Sequence, residues 1–324
     1  MKKSILICTF IFFLFNQIFA QESDQKNYEV TGSFSIMNGA ISEYVFSPYC
    51  MNVDDVESRL DWDISNIPLF SCSVNYSNDS LFLSLKSDFS FLSSSGNMQD
   101  YDWLNFQSYP SDDPTEITNY SIHSNTLSSY MNFSIIAGKN LSNSKHFNFI
   151  PFVEFDFGYF NMDGTDGYRT YKSEGWMQYD LDGKIISYEQ FSYLFFFGTR
   201  MDFTFSPSFS INFSGAISPF LSYINSFDYH WVNKTIGGTI FNDVFLSDFV
   251  IKGSAGCSYI INSNLKISID SSVTYIPICK GVIYVNSLDS DGNIISNTYH
   301  KSLSSSSGTD RFLWNAGISF SYLF

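Results

Sequence analysis

The last thirteen residues of the chain alternate with period two. Phe312, Trp314, Ala316, Ile318, Phe320, Tyr322 and Phe324 fall on one face, and Leu313, Asn315, Gly317, Ser319, Ser321 and Leu323 on the other. Neighbouring residues of an extended strand point to opposite faces. The first face is wholly apolar, and the second is mostly small or polar. A strand of this kind turns one side to lipid and the other to a polar lumen. The competing reading is an amphipathic strand at the end of a soluble sandwich.

The N-terminus favours the membrane. Lys2 and Lys3 are followed by an apolar run from Ile5 to Phe15, broken only by Thr9, and Ala20 offers a small residue before Gln21. This pattern predicts a removable signal peptide over 1–20, leaving one domain over 21–324. The run is too short for an anchor, which needs ~20 apolar residues. Cys8 lies too early for a lipoprotein signal. Loss of Lys2 and Lys3 leaves 15 basic residues against 32 acidic ones, a net charge of −17. No later segment offers the ~18 uninterrupted apolar residues of a membrane helix. Export permits disulfides, but Cys50, Cys72, Cys257 and Cys279 are widely spaced and match no zinc pattern, so no metal is expected. An exported chain that also stops on an aromatic residue fits an outer-membrane barrel.

Composition removes other classes. Aromatics reach 19% and charged residues only 15%, the reverse of a disordered chain. The acidic balance argues against nucleic acid as a partner. Phe, Tyr, Ser, Ile and Asn outnumber the usual helix formers, which disfavours a helical bundle.

Turn clusters at 77–80, 142–144, 206–208 and 262–264 each separate two aromatic or β-branched runs. Longer polar stretches lie near 42–57, 99–120, 161–189, 229–242 and 286–310. Four short turns alternating with five long loops join ten strands. The expected fold is all-β, a ten-stranded antiparallel transmembrane β-barrel with both termini on the periplasmic side and long loops outside. A monomer is expected, with outer-membrane lipid around it.

Two motifs sit where strands reach the outer loops. Gly96-Asn97-Met98-Gln99-Asp100-Tyr101-Asp102-Trp103 ends the third strand, and Phe227-Asp228-Tyr229-His230-Trp231 ends the seventh. A spacing of two puts Asp100 and Asp102 on one face, and likewise Asp228 and His230. Two close carboxylates in a partly dry cleft cannot both ionise cheaply, so one should hold its proton to higher pH than a free Asp. An Asp beside a His orients the imidazole and favours its charged form. Alone, each pair has an ordinary reading: a solvated acidic loop or loose calcium site for the first, surface polarity for the second. Together, at one end of one barrel, they supply an acidic pair and a His–Asp dyad that could activate water for attack on a carbonyl.

In these motifs the chain resembles the omptins, outer-membrane endopeptidases built as ten-stranded barrels. Gly96-Asn97-Met98 with Asp100-Tyr101-Asp102-Trp103 looks like the family's G-N-M-x-D-x-D-W signature, Asp228-Tyr229-His230 like its D-x-H dyad, and Arg59-Leu60-Asp61-Trp62 like its L-D-W segment. The resemblance implies that His230 and Asp100 hold the nucleophilic water, that Asp228 orients His230, and that Asp102 completes the acidic pair. It implies basic peptides or proteins as substrates, with Glu43 in the P1 pocket and Met98 lining the groove. Where the family often carries a second acid, two residues before the dyad Asp, this chain has Ser226; a weakened preference for Arg over Lys follows. Omptins also bind lipopolysaccharide through exterior basic residues. No basic cluster aligns here, and Arg169 and Lys172 fall in a loop. No cofactor is expected.

Two other classes compete. A non-enzymatic porin, adhesin or structural barrel would carry these pairs by coincidence. An outer-membrane phospholipase or lipid A deacylase would need a Ser placed for His230, which is followed instead by Trp231 and Val232.

Overall fold

A computed structural model describes residues 28–324, apart from 48–54, 79, 105–112, 114, 143, 145, 232–236, 292, 296–297 and 304; of 247 and 248 it describes the backbone alone. The signal peptide expected over 1–20 and Cys50 lie outside the described residues. Among the described residues, Cys72, Cys257 and Cys279 form no disulfide with one another.

Twelve strands follow in chain order: β1 (Tyr28–Phe46), β2 (Val56–Ser77), β3 (Leu81–Asp102), β4 (Asn119–Lys139), β5 (Phe147–Tyr171), β6 (Gln178–Asp180), β7 (Lys184–Ser206), β8 (Phe209–His230), β9 (Thr239–Ile260), β10 (Leu265–Ser287), β11 (His300–Lys301) and β12 (Ser306–Leu323). Ten are long. They pair antiparallel with their neighbours, and β12 pairs back onto β1 to close the ring. The two short strands are ribbons beyond it, β6 on β5 and β11 on β10. The expected ten-stranded barrel is therefore the observed one.

The loops are shorter than the sequence suggested. Residues 161–165 and 184–189 sit inside a polar stretch, yet they continue β5 and β7 as a paired hairpin, and 168–170 extend β5 further against β6. One face of this hairpin, with Met162, Ile186 and Tyr188, is buried, and polar residues such as Asp163, Lys184 and Glu189 give the stretch its loop-like composition. The strands of 18 to 25 residues exceed the ~9–11 needed to cross a bilayer.

Exposed apolar side chains belt the outside near the short turns. Phe34 pairs with Ile318, which pairs with Ile269; Leu85 pairs with Ile135, which pairs with Phe155; all six are exposed. The lumen below holds a polar cavity of about 580 Å³, lined by Ser33, Ser73, Ser134, Ser214, Ser254 and Ser268 among others.

Above that cavity the lumen is filled. Met37, Ile41, Trp62, Ile64, Met98, Leu127, Phe160, Met162 and Tyr188 form one fully buried apolar cluster. Trp62 on β2 stacks on Tyr188 of β7 with centroids 5.7 Å apart. Those strands are not neighbours in the ring, so the rings meet across the lumen. A second cluster of Phe152, Phe196, Ile224, Phe245 and Val250 packs from β5, β7, β8 and β9. Lys252 of β9 bridges the gap to Glu154 and Asp156 of β5, with an Nζ–Oδ2 distance of 2.6 Å to the latter.

Candidate active site

Parity decides whether the acidic pair of β3 faces inward. Ser90 is buried, Phe91 and Leu92 are both exposed, Ser95 is buried, Gly96 and Asn97 are exposed, and Met98 is buried. The alternation thus breaks twice, and the second break is a bulge against β4 between Ser94 and Asn97. One break would have turned Asp100 and Asp102 outward; two restore the inward face. Gly96 sits in the bulge at φ 87°, where a Cβ would come within 2.9 Å of the Asp63 Cβ. Asp63 pins the bulge. Its Oδ2 accepts from the Asn97 N–H at 3.1 Å, and its carbonyl accepts from Ser95 and Asn125 side chains at 2.7 Å each.

The upper ends of the strands enclose a second cavity, of about 340 Å³. Its walls carry the carboxyls of Glu43, Glu57, Asp102, Asp228 and Asp243, the imidazole of His230, and apolar side chains of Leu60, Phe241, Ile283 and Val285. Glu43 lies nine positions beyond the belt residue Phe34 on β1, and Asp102 seventeen beyond Leu85 on β3. The shorter separation is about 30 Å of strand, clear of the apolar band.

His230 Nε2 lies 2.5 Å from Asp228 Oδ2, and the His230 ring meets Phe241 edge-on at 5.2 Å. The next residue anchors the strand end: Trp231 Nε1 donates to Ser187 Oγ at 3.1 Å, and its N–H to the Ile185 carbonyl at 2.9 Å. Burial alone would strip the proton from His230. Asp228, with Asp100 and Asp102 behind it, overrides burial and raises the imidazole to about 9.

Burial and the nearby Asp102 hold the Asp100 carboxyl protonated well above the usual carboxylate range, and Asp100 Oδ1 has no hydrogen-bond partner. Burial raises Asp102 too, opposed by Ser58 and by Asn119, whose Nδ2 donates to Asp102 Oδ2 at 3.1 Å. Asp102 and His230 share the cavity wall. Asp100 does not line it, but acts electrostatically on His230.

Glu43 is 5% exposed and accepts from Trp62 Nε1 at 2.7 Å. Burial, then the Asp228 and Asp243 carboxylates, push its pKa well up. Met98, expected at the groove, is instead fully buried in the apolar cluster with Trp62. Ser226 is 1% exposed and does not reach the cavity wall. The structure adds Ser58, Asn119, Phe241 and Asp243, none of which the sequence motifs mark. Asp243 had a faint signal, as an acid inside the run Ile240-Phe241-Asn242-Asp243-Val244-Phe245. Its partner depends on the register between β8 and β9, which no local pattern sets.

Chemically, the site offers a base oriented by a carboxylate, a second carboxyl pair with raised proton affinity, and an acidic cavity with partly apolar walls. Among the described residues, no three His, Cys, Asp or Glu side chains converge as a metal ion requires.

Comparison with known proteins gives three findings. The model of the Omptin family matches residues 24–323. The plasminogen activator of Yersinia pestis is 29% identical over 139 residues, a match spanning 41% of this chain and 42% of that protein. The crystal structure of the outer membrane protease OmpT from Escherichia coli superimposes with a TM-score of 0.77 at 17% identity, over 94% of this chain and 99% of that one, and so shares the fold.

Proposed function

The chain belongs to the omptin family, and from that premise we propose that it is an outer-membrane endopeptidase, mouth outward, which hydrolyses peptide bonds next to basic residues. The observation that carries this reading is the His230–Asp228 dyad sharing one acidic cavity with Asp102. Asp228 occupies His230 Nε2, which leaves Nδ1 to take a proton from water in the cavity that His230 shares with Asp102, while Asp100 acts on His230 electrostatically from behind the wall. The water oxygen attacks the scissile carbonyl carbon as that proton moves to the imidazole. Burial raises the proton affinity of Asp102, which places a carboxyl able to share a proton beside the developing oxyanion. Collapse breaks the C–N bond, and the imidazolium returns its proton to the leaving amine. No side chain forms a covalent bond to substrate, which makes the chemistry of the aspartic type. Five cavity carboxyls favour a basic side chain beside the cut bond. The cross-lumen clusters speak against the porin alternative.

The test is cleavage of a dibasic peptide library by refolded protein, with and without lipopolysaccharide. Specific cutting beside basic residues is expected, and His230→Ala should lower kcat about 10²- to 10⁴-fold. Release of fatty acid from phospholipid without peptide cleavage would overturn the reading.

A further inference from the structure

Ser226 of β8 and Asp243 of β9 are directly opposed in the antiparallel register. Opposed residues point to the same face of a sheet. Ser226 stops short of the cavity; Asp243 reaches it, although only 6% exposed. Its Oδ1 is buried and has no hydrogen-bond partner. A buried, unpaired carboxylate oxygen is costly unless something completes it.

What would complete it is constrained on several sides. Asp243 faces Asp228 from β8 and Glu43 from β1, and both lie near enough to act on it or be acted on by it. β9 and β1 are separated by β10 and β12 in the ring, so Glu43 and Asp243 approach the cavity from different walls. No Lys or Arg lines that cavity among the described residues. The metal-ligand convergence that a small ion needs is absent there. The fitting occupant is therefore a cation larger than a metal ion, with donors pointing in more than one direction. A planar guanidinium meets that description, and it gains most from acceptors that engage several of its N–H groups.

We propose that Asp243 is the second carboxylate of the basic-side-chain pocket, moved across the β8–β9 pair from the position held by Ser226, and that with Glu43 it selects arginine at P1. This rests on the endopeptidase reading above and replaces the expectation that Ser226 leaves the pocket one acid short. The acid is present, one strand over. Burial first, and then Asp228, keeps the Asp243 carboxyl protonated above its ordinary range in the empty pocket. An arriving guanidinium supplies the charge that a proton otherwise supplies.

The experiment measures kcat/KM for matched peptides with Arg, Lys or Ala at P1, on wild type, Asp243→Asn, and the swap Ser226→Asp/Asp243→Ser. Wild type should prefer Arg over Lys. Asp243→Asn should lower the Arg-to-Ala ratio by about 30-fold or more, the scale of removing one partner from a buried charged pair. The swap keeps the carboxylate on the same face of the same strand pair and should recover most of the ratio. An Arg-to-Ala ratio unchanged in Asp243→Asn overturns the proposal, as does a wild type that favours Lys. Should Asp243→Asn fail to fold, the swap decides: a folded swap variant without Arg preference also counts against it. A second arm keeps the two readings apart, using equilibrium binding of an Arg-P1 peptide whose scissile amide is reduced. If wild type cuts nothing but binds this analogue, and Asp243→Asn weakens binding, the pocket stands and the endopeptidase reading falls. Equal affinities in the two proteins sink the pocket whatever the fate of the chemistry.

Discussion

His230 is held charged by its neighbours, and that sets how activity must depend on pH. An imidazolium cannot take a proton from water. Its pKa is raised to about 9 because Asp228, assisted by Asp100 and Asp102, outweighs burial. Activity is therefore lost as pH falls through the raised pKa, and the acid limb of kcat/KM should lie above the free-His value of ~6.5. Replacing Asp228→Asn removes the largest favourable charge and leaves burial, which pulls the other way. The limb should then move down by about one unit or more, with a lower plateau. A pH series on both proteins reads this directly. A limb near 4 in wild type would assign the profile to a carboxylate and remove His230 as base. Asp228 and His230 were legible in the sequence because a spacing of two in a strand fixes a shared face with no knowledge of neighbours. Asp243 was not, because its place opposite Ser226 depends on the register of two strands.

At the scale of the element, β3 shows how a local rule can give the right answer by an indirect route. Its inward face is even-numbered at Ser84 and Ser90, odd at Ser95, and even again at Met98 and Asp102. The spacing of two put Asp100 and Asp102 on one shared face, and the two breaks, which cancel, turn that face inward. Met98, which the resemblance put at the groove, packs instead within the cross-lumen cluster. The bulge at Gly96 is the sensitive point. Its φ of 87° suits glycine, and an added Cβ would press on the Asp63 side chain that holds the bulge. Gly96→Ala should shift Asp100 and Asp102 relative to His230 while the barrel still closes through its other ladders. A displacement near 1 Å lowers turnover about 10²-fold. The expected result is a fall of that order in kcat with heat-modifiable gel migration, the mark of a folded barrel, retained. Wild-type kcat in Gly96→Ala would show that the bulge does not set the catalytic distance.

For the whole molecule, the question is whether this barrel is a channel or a walled vessel. A ten-stranded ring encloses a narrow lumen, and the outward belt is the same for either purpose. The interior separates them. Trp62 and Tyr188 stack from non-adjacent strands, Arg311 of β12 donates to Gln190 of β7 at 3.1 Å, and Lys252 joins β9 to β5. The first two contacts span the lumen above the serine-lined cavity, and the Lys252 bridge crosses the lumen at the wall of that cavity. An apolar plug packed at protein density leaves no continuous water path. Such packing also gives the side chains of the acidic cavity a rigid floor, which an open pore would lack. The sequence could not show this, because Met37, Ile41 and Trp62 read as strand residues of either face until the ring is closed. Refolded protein in planar lipid bilayers should therefore show no steady ion conductance at ±100 mV, a driving energy of about 2.3 kcal/mol per unit charge. Insertion must be scored independently, by protease protection of the belt. Stable, uniform conductance steps from inserted wild-type protein would mean that the lumen is open. The floor beneath His230 would then be absent, and the non-enzymatic channel would be the better account of the chain.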